Sequence, residues 1–247
     1  MAEKHFFEQE KHTVSYLIPF FQTYLPNFYT MTVLEIGCAE AGFIKQLNES
    51  GITAMGLEIE ESRVQIAHKY TPNAIIHVGD ITDPKIVKKF NTTFDLIVMR
   101  DVIEHITERE QTFANLRALL KDDGYLYITF PAKFSGFAGH QQHARSFLKY
   151  TPYLHLLPSF KLKFLGRMLK ERPQFIATVK ANYKNGLSIR GFEQYCAQFN
   201  FSFVRKELFL FRPIFKSRFG LPIIRIPNIP LIREFMAWGC ECLLRKN

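Results

Sequence analysis

Hydrophobic and polar positions alternate in blocks along the first half of the chain. Short apolar runs occur at 32–37 (TVLEIG), 53–59 (TAMGLEI), 74–79 (AIIHVG), 94–99 (FDLIVM) and 124–130 (GYLYITF). Between them, residues 41–50, 60–70, 84–90 and 107–121 space their apolar side chains three and four apart, which predicts helices. The runs are nearly continuous in hydrophobicity, so the strands they predict are covered on both faces. Repeated βα units with such strands make a parallel sheet with right-handed crossovers. Ahead of this alternation, residues 5–28 predict one or two helices with aromatic anchors, ending near Pro26.

The pattern breaks at Pro131. Residues 132–187 are aromatic, basic and irregular, with prolines at 152, 158 and 173, and are expected to form an insertion or lid. Beyond it the chain predicts a helix at 188–199, a strand at 203–211, a proline-punctuated loop at 213–230 and a closing strand at 234–244. The whole is read as one domain over 1–247, divided into N-terminal helices (1–29), a core (30–131), the lid (132–187) and terminal elements (188–247).

Composition narrows the classes. Hydrophobic residues make up 47% and charged residues 22%, which excludes a disordered chain. Four cysteines without paired spacing exclude a disulfide scaffold and a zinc ribbon, and favour a reducing compartment. There is no apolar run of membrane-spanning length and no apolar signal core near the N-terminus, so a cytoplasmic location is expected. The charge is polarised: residues 1–131 carry 12 Lys/Arg against 18 Asp/Glu, and residues 132–247 carry 20 against 5. The second half is therefore expected either to meet an anionic partner or to keep a basic surface for solubility.

In open α/β sheets, ligands bind beyond the carboxyl ends of the strands. Small residues follow the first strand at Gly37, Ala39, Ala41 and Gly42. Glu58 ends the second, about 20 residues on, where a carboxylate can accept both hydroxyls of a ribose. Asp80 follows the third strand, where it can accept from an exocyclic amine. Arg100, Asp101, Glu104 and His105 follow the fourth. Each feature alone is weak, but four in register are not. A nicotinamide fingerprint would need glycine at 39 as well as 42, and only 42 fits.

On these residues the chain resembles the class I S-adenosylmethionine-dependent methyltransferases, of the broad group that includes ubiquinone-biosynthesis O-methyltransferases. VLEIGCAEAGF is similar to that family's first motif, GLEIE to its second, HVGDI to its third, FDLIVMRDVIEHI to its fourth and LKDDGYLYITFP to its fifth-strand segment. The resemblance implies an α/β, Rossmann-like, doubly wound and mostly parallel seven-stranded sheet. Its last strand would be antiparallel, with helices on both faces and the lid inserted after the fifth strand. It implies S-adenosylmethionine as cofactor and S-adenosylhomocysteine as product. Glu35 would support the loop and the methionine end of the cofactor, and Gly37, Cys38 and Ala39 would form the turn against it. Glu58 would bind the ribose with Ile59 beside the adenine. Asp80 would accept from the adenine amine with Ile81 on the ring, and Arg100 and Asp101 would line the cofactor and the substrate entrance. The departure is alanine at 39 and 41, where the family has glycine. Gly42 is expected to supply the missing freedom.

Transfer to oxygen often needs a base, and His105 is the nearest candidate in sequence, with His140 and His143 of the lid as further candidate catalytic histidines. Each has a plain structural alternative as a loop-holding or lid contact. A divalent-cation site at Asp101, Glu104 and His105, completed by His140 or His143, is kept as an alternative to no metal, since such an element occurs in some related methyltransferases. Arg145 can clamp an anion or form a surface ion pair, and His155 sits among apolar residues as a core histidine. Basic residues interleaved with aromatics in the lid and in 213–233 fit nucleic acid, a peripheral membrane contact or the walls of an apolar pocket. For 213–233 a loop docked on the sheet edge is preferred. The leading expectation is methyl transfer to a small apolar or anionic acceptor at oxygen. The alternatives are a nucleic-acid methyltransferase and a catalytically inactive cofactor- or surface-binding module.

Overall fold

The computed structural model describes residues 2–247. Five strands, β1 (Thr32–Ile36), β2 (Thr53–Glu58), β3 (Ile75–Val78), β4 (Phe94–Arg100) and β5 (Leu120–Phe130), run parallel. Then come β6 (Phe201–Phe211), β7 (Ile224–Arg225) and β8 (Gly239–Lys246), and the sheet order is β3-β2-β1-β4-β5-β8-β6-β7. β8 lies antiparallel to both β5 and β6, as the resemblance implies for the last strand. The helices are α1 (Ala2–His12), α2 (Ile18–Tyr24), α3 (Gly42–Glu49), α4 (Glu61–Tyr70), α5 (Ile86–Lys89), α6 (Arg109–Leu119), α7 (Ser159–Met168), α8 (Pro173–Asn185), α9 (Ile189–Gln198), α10 (Pro213–Phe219) and α11 (Ile232–Met236).

The near-continuous apolar strands are explained by two cores. Side chains alternate across a strand. Leu34, Ile36, Ile97 and Met99 therefore join Phe113 of α6 and Phe192 of α9 on one face. Val33, Leu96 and Val98 join Phe21 of α2 and Phe43, Ile44 and Leu47 of α3 on the other. Strand order reverses between β1 and β4, and that switch point is where the turns after both strands face a common cleft.

Three expectations are corrected. The sheet has eight strands, because the loop expected at 213–230 contains α10 and the two-residue edge strand β7. The closing strand begins at Gly239, since residues 232–236 are helical. Segment 132–187 is not irregular: it holds α7 and α8 around a small core of Leu148, Leu154, Leu162, Phe175 and Val179. The prolines that hid these helices stand at their starts, Pro158 just before α7 and Pro173 in the first turn of α8, where the missing N–H has no helical partner anyway.

Ala39 and Ala41 both adopt the left-handed conformation, at φ +51° and +63°. Gly42 does not supply the freedom expected of it. It starts α3 and has no Cβ because α1 leaves no room: one there would lie 2.6 Å from the Phe6 carbonyl oxygen. A left-handed alanine costs about 1 kcal/mol more than glycine. Ala39→Gly is therefore expected to raise the stability against urea by about that amount. Ala41→Gly should be near neutral, because the Ala41 methyl joins the core with Phe43 and Leu47 and its loss costs about as much as the relief, whereas Ala39 borders the cleft. Equal gains from both would remove this account.

Candidate functional site

The cleft beyond the strand ends consists of two adjoining cavities of about 410 and 230 Å³. They share Gly37, Ile59, Val102 and His105. The smaller is bordered by Gly79, Asp80, Ile81 and Thr82, and the larger extends past Glu58, Glu35 and Arg100 to Asp101, Arg212 and Glu241. Gly37 makes the junction: its φ is +69°, and a Cβ there would meet Val102 Cγ2 at 2.5 Å.

The expected cofactor residues are brought together with two qualifications. Glu58 is buried, and its carboxylate accepts from the backbone N–H of Ala39 at 2.9 Å and of Glu60 at 3.0 Å, bracing the turn after β1 against the end of β2. Asp80 accepts from the Thr82 N–H at 2.8 Å. Ile59 projects into the cleft, 66% exposed, while Ile81 is buried beneath it. The first qualification is Cys38. Its side chain points away from the cleft into the core against Gly56, where burial pushes the thiol well above its ordinary value, and it lines neither cavity. The second is Arg100, which does not reach openly into the cleft. Its guanidinium donates to Glu35 Oε1 from Nη2 at 2.5 Å and from Nε at 3.1 Å, and lies 5.0 Å from the centre of the Phe43 ring.

Glu35 is the most informative group in the cleft. Burial pushes its carboxyl above the ordinary value even beside Arg100. Its second oxygen, Oε2, is buried with no hydrogen-bond partner. An orphaned carboxylate oxygen costs on the order of 1–3 kcal/mol, so it is the natural acceptor for an ammonium group of a bound ligand. With an acid at the end of β2, an acid after β3 and a glycine against the turn, these residues fit a nucleoside carrying an amino acid.

Past Arg100 the walls change character. Asp101, left-handed at φ +56°, donates its N–H to the Thr129 carbonyl at 2.8 Å, and its carboxylate accepts from Arg212 Nη2 at 2.5 Å and from the Thr129 hydroxyl at 3.2 Å. Desolvation in the cleft pushes its carboxyl up, but Arg212 and Thr129 outweigh this and hold it below the ordinary value. Glu241 accepts from the phenols of Tyr16 at 2.8 Å and Tyr127 at 2.9 Å, and burial raises its carboxyl. His12 is buried with Nδ1 unpartnered. Desolvation, together with Arg100, Arg212 and Arg218, pushes it down to about 3, so it is a neutral imidazole at physiological pH. Sequence reasoning missed His12, Gln9, Arg212 and Glu241. The signal for Gln9 and His12 is their spacing from Phe6, which puts two polar residues on the inward stripe of α1. Glu241 is an acid inside the apolar run of β8.

His105, at the 3-10 turn Ile103–His105, lines both cavities, and burial lowers it despite Asp101. The His140 ring lies 5.2 Å from it, pushed down to about 4 by burial and by His105 and His143. His143 is exposed and lines neither cavity. Donor atoms of Glu104, His105 and His140 lie within 4.8 Å of one another. The cluster takes His140 in place of Asp101, whose carboxylate is engaged by Arg212. His155 is fully buried, its Nε2 3.1 Å from the Lys133 carbonyl, as a core histidine should be. The Arg145 backbone N–H donates to Glu171 at 3.1 Å.

This sheet order, with acids at successive strand ends and an orphaned carboxylate oxygen between them, defines a nucleotide-binding α/β enzyme of the class I methyltransferase type. The methyltransferase-domain family matches residues 6–172, and the chain belongs to it, a family of S-adenosylmethionine-dependent enzymes. Curated relatives align over shorter stretches. The ubiquinone biosynthesis O-methyltransferase of Coxiella burnetii is 24% identical over 98 residues, 39% of this chain and 42% of that protein. Phosphoethanolamine N-methyltransferase 2 of Caenorhabditis elegans is 28% identical over 110 residues, 42% of this chain and 25% of that protein. The chain thus matches less than half the length of either relative. Two solved structures share the fold. The plantazolicin methyltransferase BamL aligns with TM-score 0.60 at 15% identity, over 99% of this chain and 86% of that one. A methyltransferase from Mesorhizobium loti aligns with TM-score 0.57 at 13% identity, over 92% and 96%. No helix among the described residues is long and apolar enough to cross a membrane.

Proposed function

We propose that this protein transfers the methyl group of S-adenosylmethionine to a hydroxyl oxygen of a small apolar or anionic acceptor. The supporting observation is the continuity of the cleft: the part fitted to a nucleoside passes Glu35 and Arg100 and opens on walls of His12, Tyr127, Phe209 and Glu241. When bound, the cofactor supplies an electrophilic methyl on a sulfonium. Glu35 Oε2 accepts from its amino group, Glu58 from the ribose hydroxyls and Asp80 from the adenine amine, while Ile59 and Ile81 pack on the ring. Gly37, Ala39 and Asp101 shape the turns beside it; Cys38 contributes only its backbone. These groups position the donor, and positioning alone can supply on the order of 7–11 kcal/mol of the barrier. The acceptor lies beside His12, a neutral imidazole that adds no charge next to the hydroxyl. His105, at the wall between the two cavities, takes the proton, and His140 holds its ring.

Residues 1–247 act as one domain, with His140 of segment 132–187 standing against His105 at the cleft wall, in the reducing compartment that four buried free cysteines suit. Calorimetric titration with S-adenosylhomocysteine, followed by labelled-methyl transfer to a panel of phenols, carboxylic acids and amines, tests this reading. Binding with methyl ether formation is expected, and amine products alone would overturn the oxygen assignment. A second reading, in which a divalent cation helps deprotonate the acceptor, is favoured by the Glu104–His105–His140 cluster. Activity that is unchanged by a chelator and by added Mg²⁺ would end it.

A further inference from the structure

Helix α7 presents an uncovered apolar stripe. Phe160, Phe164 and Met168 stand one turn apart and are 70%, 67% and 59% exposed. The opposite face is anchored: Leu162 joins the small core, and Gly166 has no Cβ because Ile176 of α8 packs against it, at 2.6 Å from where one would be. The helix is therefore held with its rings outward rather than left loose.

The exposed cations Lys161, Lys163 and Arg167 lie on the same short helix, which contains no acid. Residues 145–184 carry nine Lys/Arg and one acid, Glu171. That acid is engaged, its two oxygens accepting from the backbone N–H groups of Arg145 at 3.1 Å and Ser146 at 2.7 Å. The same bonds tie the turn Phe147–Tyr150 to the end of α7, and that turn adds two more outward rings, Phe147 and Tyr150, with Lys149 between them.

Rows of exposed large apolar side chains on a soluble protein mark a contact surface. Two features decide what covers this one. The charge is almost wholly positive, so the partner is anionic. The apolar groups include Met168 and lie along a helix bracketed by cations. This suits a bilayer interface, where rings and thioether enter the acyl boundary and Lys and Arg meet the headgroups. Nucleic acid would pair with the cations but would bury little of such a stripe. We propose that α7 and the adjoining turn dock the protein on an anionic phospholipid surface. The inference rests on these elements and not on the assignment of the cleft.

Flotation of the full chain with phosphatidylcholine vesicles, with and without a third phosphatidylglycerol, tests it. Binding to the anionic vesicles is expected, weaker by about tenfold or more on phosphatidylcholine alone and falling with salt. The double change Phe160→Ser/Phe164→Ser and, separately, Lys161→Glu/Lys163→Glu should each weaken anionic-vesicle binding by about tenfold, as lost apolar insertion and lost headgroup attraction predict. Because all four side chains are exposed, both variants should keep the parent melting temperature and affinity for S-adenosylhomocysteine. Absence of binding to anionic vesicles would overturn the proposal, as would binding that survives loss of both phenylalanines. Retention on a single-stranded RNA oligomer, lost in the same variants while vesicles are ignored, would replace lipid with nucleic acid.

Discussion

Replacing Arg100 with leucine is expected to destabilise the protein by about 3–5 kcal/mol, the usual result of leaving a buried charge without its partner. The orphaned group would be Glu35, 1% exposed, with one oxygen already unpartnered and the other held only by Arg100. The pH dependence has a definite sign. Glu35 is already raised above 4.5 by burial, and removing Arg100 removes the group that opposes this. A carboxyl raised in the folded state contributes stability that is present below its unfolded value and lost as pH rises through its folded value. The deficit of Arg100→Leu should therefore be widest above neutrality and narrow as pH falls toward 4.5. Urea unfolding across that range measures it. The double change Glu35→Leu/Arg100→Leu should recover most of the loss, since a buried ion pair replaced by apolar side chains is often neutral. A single variant as stable as the parent at pH 8 would show that Glu35 carries no charge there.

Glu58→Ala should weaken binding of S-adenosylmethionine and S-adenosylhomocysteine by more than about tenfold, or about 1.4 kcal/mol. Two losses combine. The proposed ribose acceptor disappears, and the N–H groups of Ala39 and Glu60 lose the carboxylate that braces the turn after β1. The second loss acts on an already strained segment, because Ala39 is left-handed. Glu58→Gln separates them, since one amide oxygen still braces one N–H but the charge is gone. Calorimetry showing affinity within about twofold of the parent for Glu58→Ala would remove the ribose assignment. Asp80→Ala should do less, because Asp80 caps its own turn through Thr82 rather than bracing a neighbouring strand.

The alternation of short apolar runs with helical spacing was enough to place β1 to β5 and the turns after them. In a parallel sheet every carboxyl end points the same way, so residues following successive strands must meet. Gly37, Glu58, Asp80 and Asp101 are far apart in the chain yet border one cleft for that reason. Where periodicity was interrupted, legibility ended. Prolines at 158 and 173 looked like breaks and proved to be helix starts, so α7, with its outward rings, was invisible as a helix. Cys38 sat in the right turn, but which way a side chain leaves a turn depends on what packs behind it, here Gly56.

What the sequence by itself determined is the class of fold, the switch point and the residues that border the cleft after β1 to β4, because these follow from local hydrophobic period and strand polarity. The tertiary structure alone decided the far end of the cleft. His12 comes from the first helix, Arg212 follows β6 and Glu241 lies in the last strand. They meet only because β8 inserts antiparallel between β5 and β6 while α1 packs across the start of α3. No local pattern encodes a contact between the two ends of a chain; burial of Glu241 beneath two phenols and of His12 beside three arginines is a product of that packing.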